Sequence, residues 1–333
     1  MRDAERSLRN CRRILVTGAD GFVGRHLIAL LGTAAPDALV IRSGRGVGAD
    51  LAMDLRDPAS VTAAVAEARP DLVFHLAGQA SVAAAATACA DTWRVNVVGT
   101  LALAEALARI SPDATVLFTS SSEVYGRAFG QTDRLTEEQC PWPTSVYAQS
   151  KLAAEQMLAA LLPAGSTVIA ARPTNHIGPG QGLRFALPSF AAQLAQGERD
   201  NRPATIRVGN LEAERDFMDV RDVVRAYVML ADRLHGTGAR ETVNVSSNTS
   251  IPVRTLLDML RAAATIGSEV EVDRDRYRPT EVRRASVSAD KLRRMTGWQP
   301  LHGLDQSVQD VLNDWRRDLG AHDPALGEAR PAR

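Results

Sequence analysis

The chain has 333 residues, 45% of them hydrophobic, and Lys+Arg and Asp+Glu are both 39, so the formal net charge is zero. That length and apolar fraction allow a full core and fit one domain with a lobe added. The balanced charge argues against a polyanion such as nucleic acid as the main partner. Cys11, Cys89 and Cys140 are widely spaced, form no metal or disulfide pattern, and suit a reducing cytoplasm. The most apolar long stretch, 101–110, carries Glu105 and Arg109 and is too short to span a membrane. The polar N-terminus has no apolar signal-type segment, so a cytoplasmic location away from membranes is expected.

In chain order, 13–17 (RILVT) reads as a buried strand, 22–31 as a helix, 38–42 (ALVIR) as a second strand and 58–68 as a helix. Then come a strand at 72–76 (LVFHL), a long helix at 93–110, a strand at 115–119 (TVLFT), a helix at 145–162 and a strand at 167–171 (TVIAA). Strict alternation implies βαβ units. Right-handed crossovers then place helices on both faces of a parallel sheet. The fold class expected is therefore α/β, a Rossmann-type doubly wound parallel sheet.

After Arg172 the rhythm breaks. Gly and Pro cluster over 173–188, and a helix is expected near 190–196. Strand-like pieces follow at 205–208 and 242–245, with helices at 220–233 and 253–264. This shift predicts a smaller C-terminal substrate-binding lobe. The expected division is a flexible arm at 1–12 and a dinucleotide-binding domain at 13–172, completed by about 220–246. The lobe is expected at 173–219 and 247–318, and a flexible tail at 319–333.

The turn after the first strand carries Gly18, Gly21 and Gly24 as G-x-x-G-x-x-G. Gly18 permits the sharp turn, Gly21 lets the backbone approach a pyrophosphate, and Gly24 lets helix and strand pack tightly. The helix opening at Phe22 and Val23 offers N–H groups and a positive dipole end to the phosphates. The end of the second strand bears Arg42 where an acidic residue would hold the adenosine ribose of NAD. Arg42 suits the 2′-phosphate of NADP, so NADP(H) is preferred with NAD(H) as the alternative. Asp54 and Leu55 stand where an adenine-contacting pair is expected. A helix-capping role for Asp54 is the competing reading.

Tyr147 and Lys151 are four residues apart and share a helix face. A nearby ammonium is expected to lower the phenol pKa so that it exchanges a proton with a carbonyl or alcohol oxygen near neutral pH. The preceding strand ends in Thr119-Ser120-Ser121-Ser122-Glu123, and a hydroxyl there can reach the same oxygen.

The combination resembles the extended short-chain dehydrogenase/reductases from Arg13 to about Trp315. The resemblance implies Ser121, Tyr147 and Lys151 as the catalytic triad. It also implies that Leu76, Ala77, Gly78, Asn96, Thr119, Pro173 and His176 surround the cofactor. Within the family, the runs 175–181 and 208–222 are similar to those of GDP-4-keto-6-deoxy-D-mannose reductases. The runs 277–282 and 296–300 are similar to elements shared by that group and by GDP-mannose 4,6-dehydratases. Thr174 departs from the aromatic residue expected there.

The likeness implies reduction of the C4 ketone of a GDP-linked keto-deoxy sugar to GDP-D-rhamnose. Ser121, Glu123, Asn175, Arg215, Arg278 and Glu281 would contact the substrate. Guanidinium forks suit a diphosphate, and Glu281 suits ribose hydroxyls. The alternative is GDP-mannose 4,6-dehydratase or another nucleotide-sugar dehydratase or epimerase with tightly bound NAD, in which Glu123 is the base. A non-catalytic NADP-sensing protein is a distant third reading. Family resemblance also implies a homodimer, paired through the outer faces of 93–110 and 145–162 as a four-helix bundle.

Overall fold

The computed structural model describes residues 8–274, 276 and 282–320. It begins with β1 (Arg13–Thr17), α1 (Phe22–Ala34), β2 (Leu39–Gly44), β3 (Leu51–Ala52), α2 (Pro58–Ala68) and β4 (Leu72–His75). Next are α3 (Val82–Thr87), α4 (Cys89–Trp93), a π-helical turn at Arg94–Val98, α5 (Gly99–Ile110) and β5 (Thr115–Thr119). A 3₁₀ segment at Ser122–Gly130 leads to α6 (Val146–Leu161) and β6 (Thr167–Pro173). The remainder holds β7 (Asn175–Ile177), α7 (Ala186–Arg199), β8 (Ala204–Val208), β9 (Glu214–Asp219), α8 (Val220–Leu234) and β10 (Arg240–Val245). It closes with β11 (Ser250–Pro252), α9 (Val253–Ala263), β12 (Ser268–Val272), β13 (Arg284–Ala285), α10 (Asp290–Thr296) and α11 (Leu304–Gly320).

Seven strands form one sheet in the order β10-β6-β5-β4-β1-β2-β3. Every pairing in it is parallel. This is a Rossmann-type doubly wound α/β fold. Sheet order reverses at β1 and β4, which lie side by side while their successors run outward in opposite directions. That reversal opens a crevice beyond the carboxyl ends of the two strands, where α/β sheets bind ligands.

The strands are apolar runs because both faces are covered. Leu15, Val73, Val116 and Phe118 join α2, α5 and α6 residues such as Val65, Leu103 and Leu158 in one cluster. Their neighbours Ile14, Val16, Leu72, Phe74 and Leu117 are equally buried but point to the opposite face.

The described residues divide into two units. One runs through Thr174 and adds Arg221–Ser246 and Val287–Gln299, so β10, α8 and Trp298 belong with the large sheet. Trp298 is fully buried and its Nε1 donates to the Asp222 carbonyl at 3.0 Å. The second unit holds Asn175–Val220, Ser247–Ser286 and the stretch from Pro300 onward. In it β9 pairs with β7, β11 and β13, and β8 pairs with β12. Helices α7, α9 and α11 close its core around Phe190, Leu194, Leu256, Leu260 and Val311.

Two expectations need correction. The stretch read as one helix over 93–110 is interrupted at Arg94–Val98, where a π turn widens the coil. Within the region expected as a loose arm, Leu8 and Cys11 are buried, and the Leu8 amide donates to Asp232 Oδ1 at 2.6 Å. Residues 1–7 and 321–333 lie outside the described residues.

Candidate active site

The turn after β1 is built by close approach. Gly18 has φ +70°, and a Cβ there would stand 2.9 Å from Ala77 Cα, so the turn lies against the loop leaving β4. A Cβ on Gly24 would fall 2.3 Å from the Gly18 carbonyl oxygen. Only glycine lets α1 start this close to the strand. Helix α1 begins at Phe22 with no side-chain cap and no acidic residue in its first turn. The amino end of α1, at Phe22 and Val23, presents the backbone amides and positive dipole end that suit a pyrophosphate. The residues therefore fit a dinucleotide.

The loop after β4 is held by a directional chain of hydrogen bonds. The Ala77 amide donates to Thr17 Oγ1 at 3.1 Å, and Thr17 Oγ1 lies 2.8 Å from His75 Nδ1. His75 Nε2 is 3.0 Å from Thr100 Oγ1, whose proton goes to the Asn96 carbonyl at 2.7 Å. Thr100 therefore accepts from His75 Nε2, and Nδ1 accepts from Thr17. Burial, then the Lys151 charge, push His75 down to about 3, so the ring is neutral as this pattern needs.

Asn96 sits in the π turn and ties the loop to the next helix. Its Oδ1 accepts from the Gln79 amide at 2.7 Å, and its Nδ2 donates to the Gln79 carbonyl at 3.2 Å and to Ser150 Oγ at 3.0 Å. Ser150 in turn donates to the Tyr147 carbonyl at 2.7 Å. A Cβ on Gly78 would stand 2.9 Å from Asn96 Oδ1 and 3.5 Å from Lys151 Nζ. Gly78 thus meets the catalytic helix, while Leu76 and Ala77 lie against the glycine turn.

That helix, α6, starts at a Ser145 cap whose Oγ accepts from the Ala148 amide at 3.1 Å. Tyr147 and Lys151 are buried on one of its faces. Lys151 Nζ donates to the Thr119 carbonyl at 2.8 Å and lies 4.9 Å from the Phe118 ring centroid. Burial lowers its ammonium to about 8, against the pull of Glu155.

The phenol differs from expectation. Burial pushes Tyr147 up to about 12, outweighing its hydrogen bond with Ser121, and the Glu123 carboxylate pushes the same way. The surrounding apolar walls penalise the phenolate more than the nearby groups favour it. Tyr147 is therefore held as a phenol, a proton donor. Ser121 and Glu123 stand at the start of the 3₁₀ segment, with Ser121 Oγ accepting from the Glu123 amide at 3.2 Å.

Four residues around this centre form a buried polar cluster. Glu155, one turn after Lys151, forms a buried ion pair with Arg172, Nη2 to Oε2 at 2.6 Å. Arg172 lies 5.0 Å from the Tyr125 ring centroid, and the Tyr125 hydroxyl donates to Asn244 Oδ1 at 2.9 Å. Burial works against the Arg172 charge, and Glu155 outweighs it. The four-residue step from Lys151 to Glu155 was the signal available for Glu155 in the sequence, and Arg172 opens the run at 172–177 that resembles the family's cofactor surround.

Two expected cofactor contacts are engaged elsewhere. Arg42 Nη2 meets Asp50 Oδ1 at 2.6 Å, and its Nε meets Asp50 Oδ2 at 3.0 Å. Asp54 Oδ1 accepts from the Arg56 amide at 3.0 Å, and Asp57 rather than Asp54 caps α2. Leu55 is buried against Gly99, where a Cβ would come within 2.6 Å of it.

Pro173 ends β6, and Thr174 is buried with its amide bonded to the Val245 carbonyl at 2.9 Å. Asn175, His176 and Arg215 belong to the second unit. Asn175 and His176 are in β7, opposite Phe217 and Met218 of β9. Arg215 is in β9, with Nη1 donating to the Glu214 carbonyl at 2.8 Å. Arg278 and Glu281 lie outside the described residues.

Fold and site together define a nicotinamide-dependent oxidoreductase of the short-chain dehydrogenase/reductase class. The chain belongs to the NAD dependent epimerase/dehydratase family, whose model matches residues 14–246. It is 39% identical over 306 residues to a GDP-6-deoxy-D-mannose reductase of Pseudomonas aeruginosa, covering 91% of this chain and 97% of that protein. It is 29% identical to a GDP-6-deoxy-D-talose 4-dehydrogenase of Aggregatibacter actinomycetemcomitans, covering 74% and 79% of the two chains. The solved structure of RMD from Pseudomonas aeruginosa complexed with NADPH superposes with a TM-score of 0.81 at 35% identity, covering 92% of this chain and 98% of that one.

Proposed function

We propose that this protein reduces the C4 ketone of a GDP-4-keto-6-deoxy-D-mannose-type nucleotide sugar, forming GDP-D-rhamnose. The observation that carries the chemistry is the burial of Tyr147 and Lys151 together on one face of α6. The likeness to the Pseudomonas aeruginosa reductase supports the direction of the reaction and the substrate class.

When bound, a reduced nicotinamide would supply the hydride to C4. Ser121 orients the carbonyl oxygen, and Tyr147 donates its proton to that oxygen as the alcohol forms. Lys151, buried beside Tyr147, is the charge that receives the resulting phenolate until a proton returns. Asn96 fixes the helix carrying both, through Ser150. Glu123 lies close enough to act on the Tyr147 pKa and is assigned a substrate contact rather than the role of base. Asn175, Arg215, Arg278 and Glu281 are proposed for the nucleotide sugar, and Pro173 and His176 for the cofactor. The bound cofactor is NADH or NADPH, and the P. aeruginosa structure with NADPH bears on the second.

A homodimer is proposed through α5 and α6 with their neighbours. In its favour, Trp93 and Val98 are 39% and 47% exposed, and Leu161 at the end of α6 is 47% exposed.

The test is turnover with GDP-4-keto-6-deoxy-D-mannose generated in situ, following loss of NADPH and NADH separately. Keto-sugar-dependent consumption with GDP-D-rhamnose as product is expected. Formation of the C4 epimer would move the assignment to a talose-type activity. Conversion of GDP-mannose without added reductant would overturn reduction altogether and make Glu123 the base.

A further inference from the structure

The end of β2 carries more acid than Arg42 alone suggested. Asp20, the third residue of the glycine turn, extends its carboxylate across to the loop after β2. Its Oδ2 accepts from the Gly46 amide at 3.0 Å. A Cβ on Gly44 or Gly46 would stand 2.8 or 2.5 Å from that oxygen, so the two glycines make the room in which the carboxylate sits. Arg42 is held from the other side by Asp50. The Asp50 carboxylate accepts from the Arg42 amide at 2.9 Å and from both guanidinium positions described above, while the Asp50 amide donates to the Arg42 carbonyl at 2.8 Å. Both carboxylates act on the Arg42 guanidinium, Asp50 more strongly than Asp20.

The ribose of an adenosine lying on a glycine turn reaches the carboxyl end of β2. A 2′-hydroxyl there can donate to a carboxylate. A 2′-phosphate brings up to two negative charges and only acceptor oxygens. It would meet Asp20 directly and would have to separate Arg42 from Asp50 to use that guanidinium, with Arg45 in the same loop and Arg25, whose Nη1 donates to the Asp20 carbonyl at 2.7 Å, as the other positive side chains nearby. We propose that Asp20 is the acceptor for the ribose 2′-hydroxyl and that Asp50 withholds Arg42, so that the protein binds NADH more tightly than NADPH. This rests on the reading that a nicotinamide dinucleotide occupies the glycine turn, and it reverses the preference expected from Arg42 alone.

The test measures binding without any sugar, so it stands apart from the assignment of the substrate. Dissociation constants for NADH and NADPH are obtained from nicotinamide fluorescence, and for ADP-ribose and its 2′-phosphate by calorimetry. The wild type is expected to hold NADH about tenfold tighter than NADPH, the scale of one hydrogen bond to a charged group. Asp20→Asn keeps an acceptor for the Gly46 amide but removes the charge, and should narrow or invert the ratio. Asp50→Asn releases Arg42 and should tighten NADPH with little change for NADH. The ratio is read within each variant, so a partial loss of folded protein does not alter it. Tighter NADPH in the wild type, or a ratio unmoved by Asp20→Asn and by Asp50→Asn, would overturn the proposal. Failure of both dinucleotides to bind would instead overturn the cofactor reading beneath it.

Discussion

Replacing Glu155 by Gln tests whether the buried ion pair behind the active site serves stability, catalysis or both. Glu155 and Arg172 have side chains only 6% exposed, and three contacts join them, at 2.9, 3.3 and 2.6 Å. The neutral amide leaves Arg172 charged and buried with half of its partner. Breaking such a pair costs about 3–5 kcal/mol. At roughly 2–4 °C per kcal/mol for a domain of this size, the melting midpoint should fall by roughly 6–20 °C. The second effect is electrostatic. Glu155 raises the Lys151 pKa against burial, which sets it at about 8. Reduction uses the ammonium, so its rate should decline as pH rises through about 8 in the wild type, and at lower pH in the variant. Melting by circular dichroism and a pH–rate profile read the two effects separately. The double variant Arg172→Met with Glu155→Leu removes both charges, and should regain most of the lost stability while keeping the shifted pH limb. A single variant melting within about 2 °C of wild type, or an unmoved alkaline limb in both variants, would refute the reasoning.

Three further outcomes follow from the geometry. Tyr147→Phe should keep cofactor affinity by fluorescence titration and lower turnover by about 10²–10⁴-fold, the usual worth of a positioned general acid. Gly24→Ala should abolish dinucleotide binding in the same titration, because its Cβ would meet the Gly18 carbonyl at 2.3 Å. His75 has its pKa depressed from 6.5 to about 3. Between those values the unfolded chain binds the extra proton, so this contribution to stability is complete above about 6.5 and is lost as pH falls toward about 3. Denaturant titrations at pH 7 and pH 4 should show that loss, and a His75→Asn variant should show less of it.

Much of the large sheet was legible because its information is local. Runs such as RILVT and TVLFT are apolar throughout, and each is followed by a helix with a recognisable start. Tyr147 and Lys151 were legible for the same reason, four residues apart on a helix that Ser145 caps. What escaped depends on contacts between distant segments. Arg42 reads as a phosphate ligand until the chain returns with Asp50 after the loop and strand β3 pairs there. The upward shift of Tyr147 reflects burial, which no spacing records. The π turn holding Asn96 lies in a valine-rich run, and nothing in its pattern distinguishes 3.6 residues per turn from a wider coil. Strand β9 is polar in sequence, and its partners β7, β11 and β13 come from three separate stretches.

The cofactor-binding unit is completed by chain from three stretches, the last of them Val287–Gln299 with the fully buried Trp298. A gene fragment cut after β6 would encode the glycine turn, Tyr147 and Lys151, yet lack the edge strand β10 and the indole that fills the core behind α8. During synthesis, the half of the protein made first cannot settle until the ribosome has moved past codon 299, by which time most of the second unit has been made. A stand-alone dinucleotide module would have to be made by joining the three stretches with new loops.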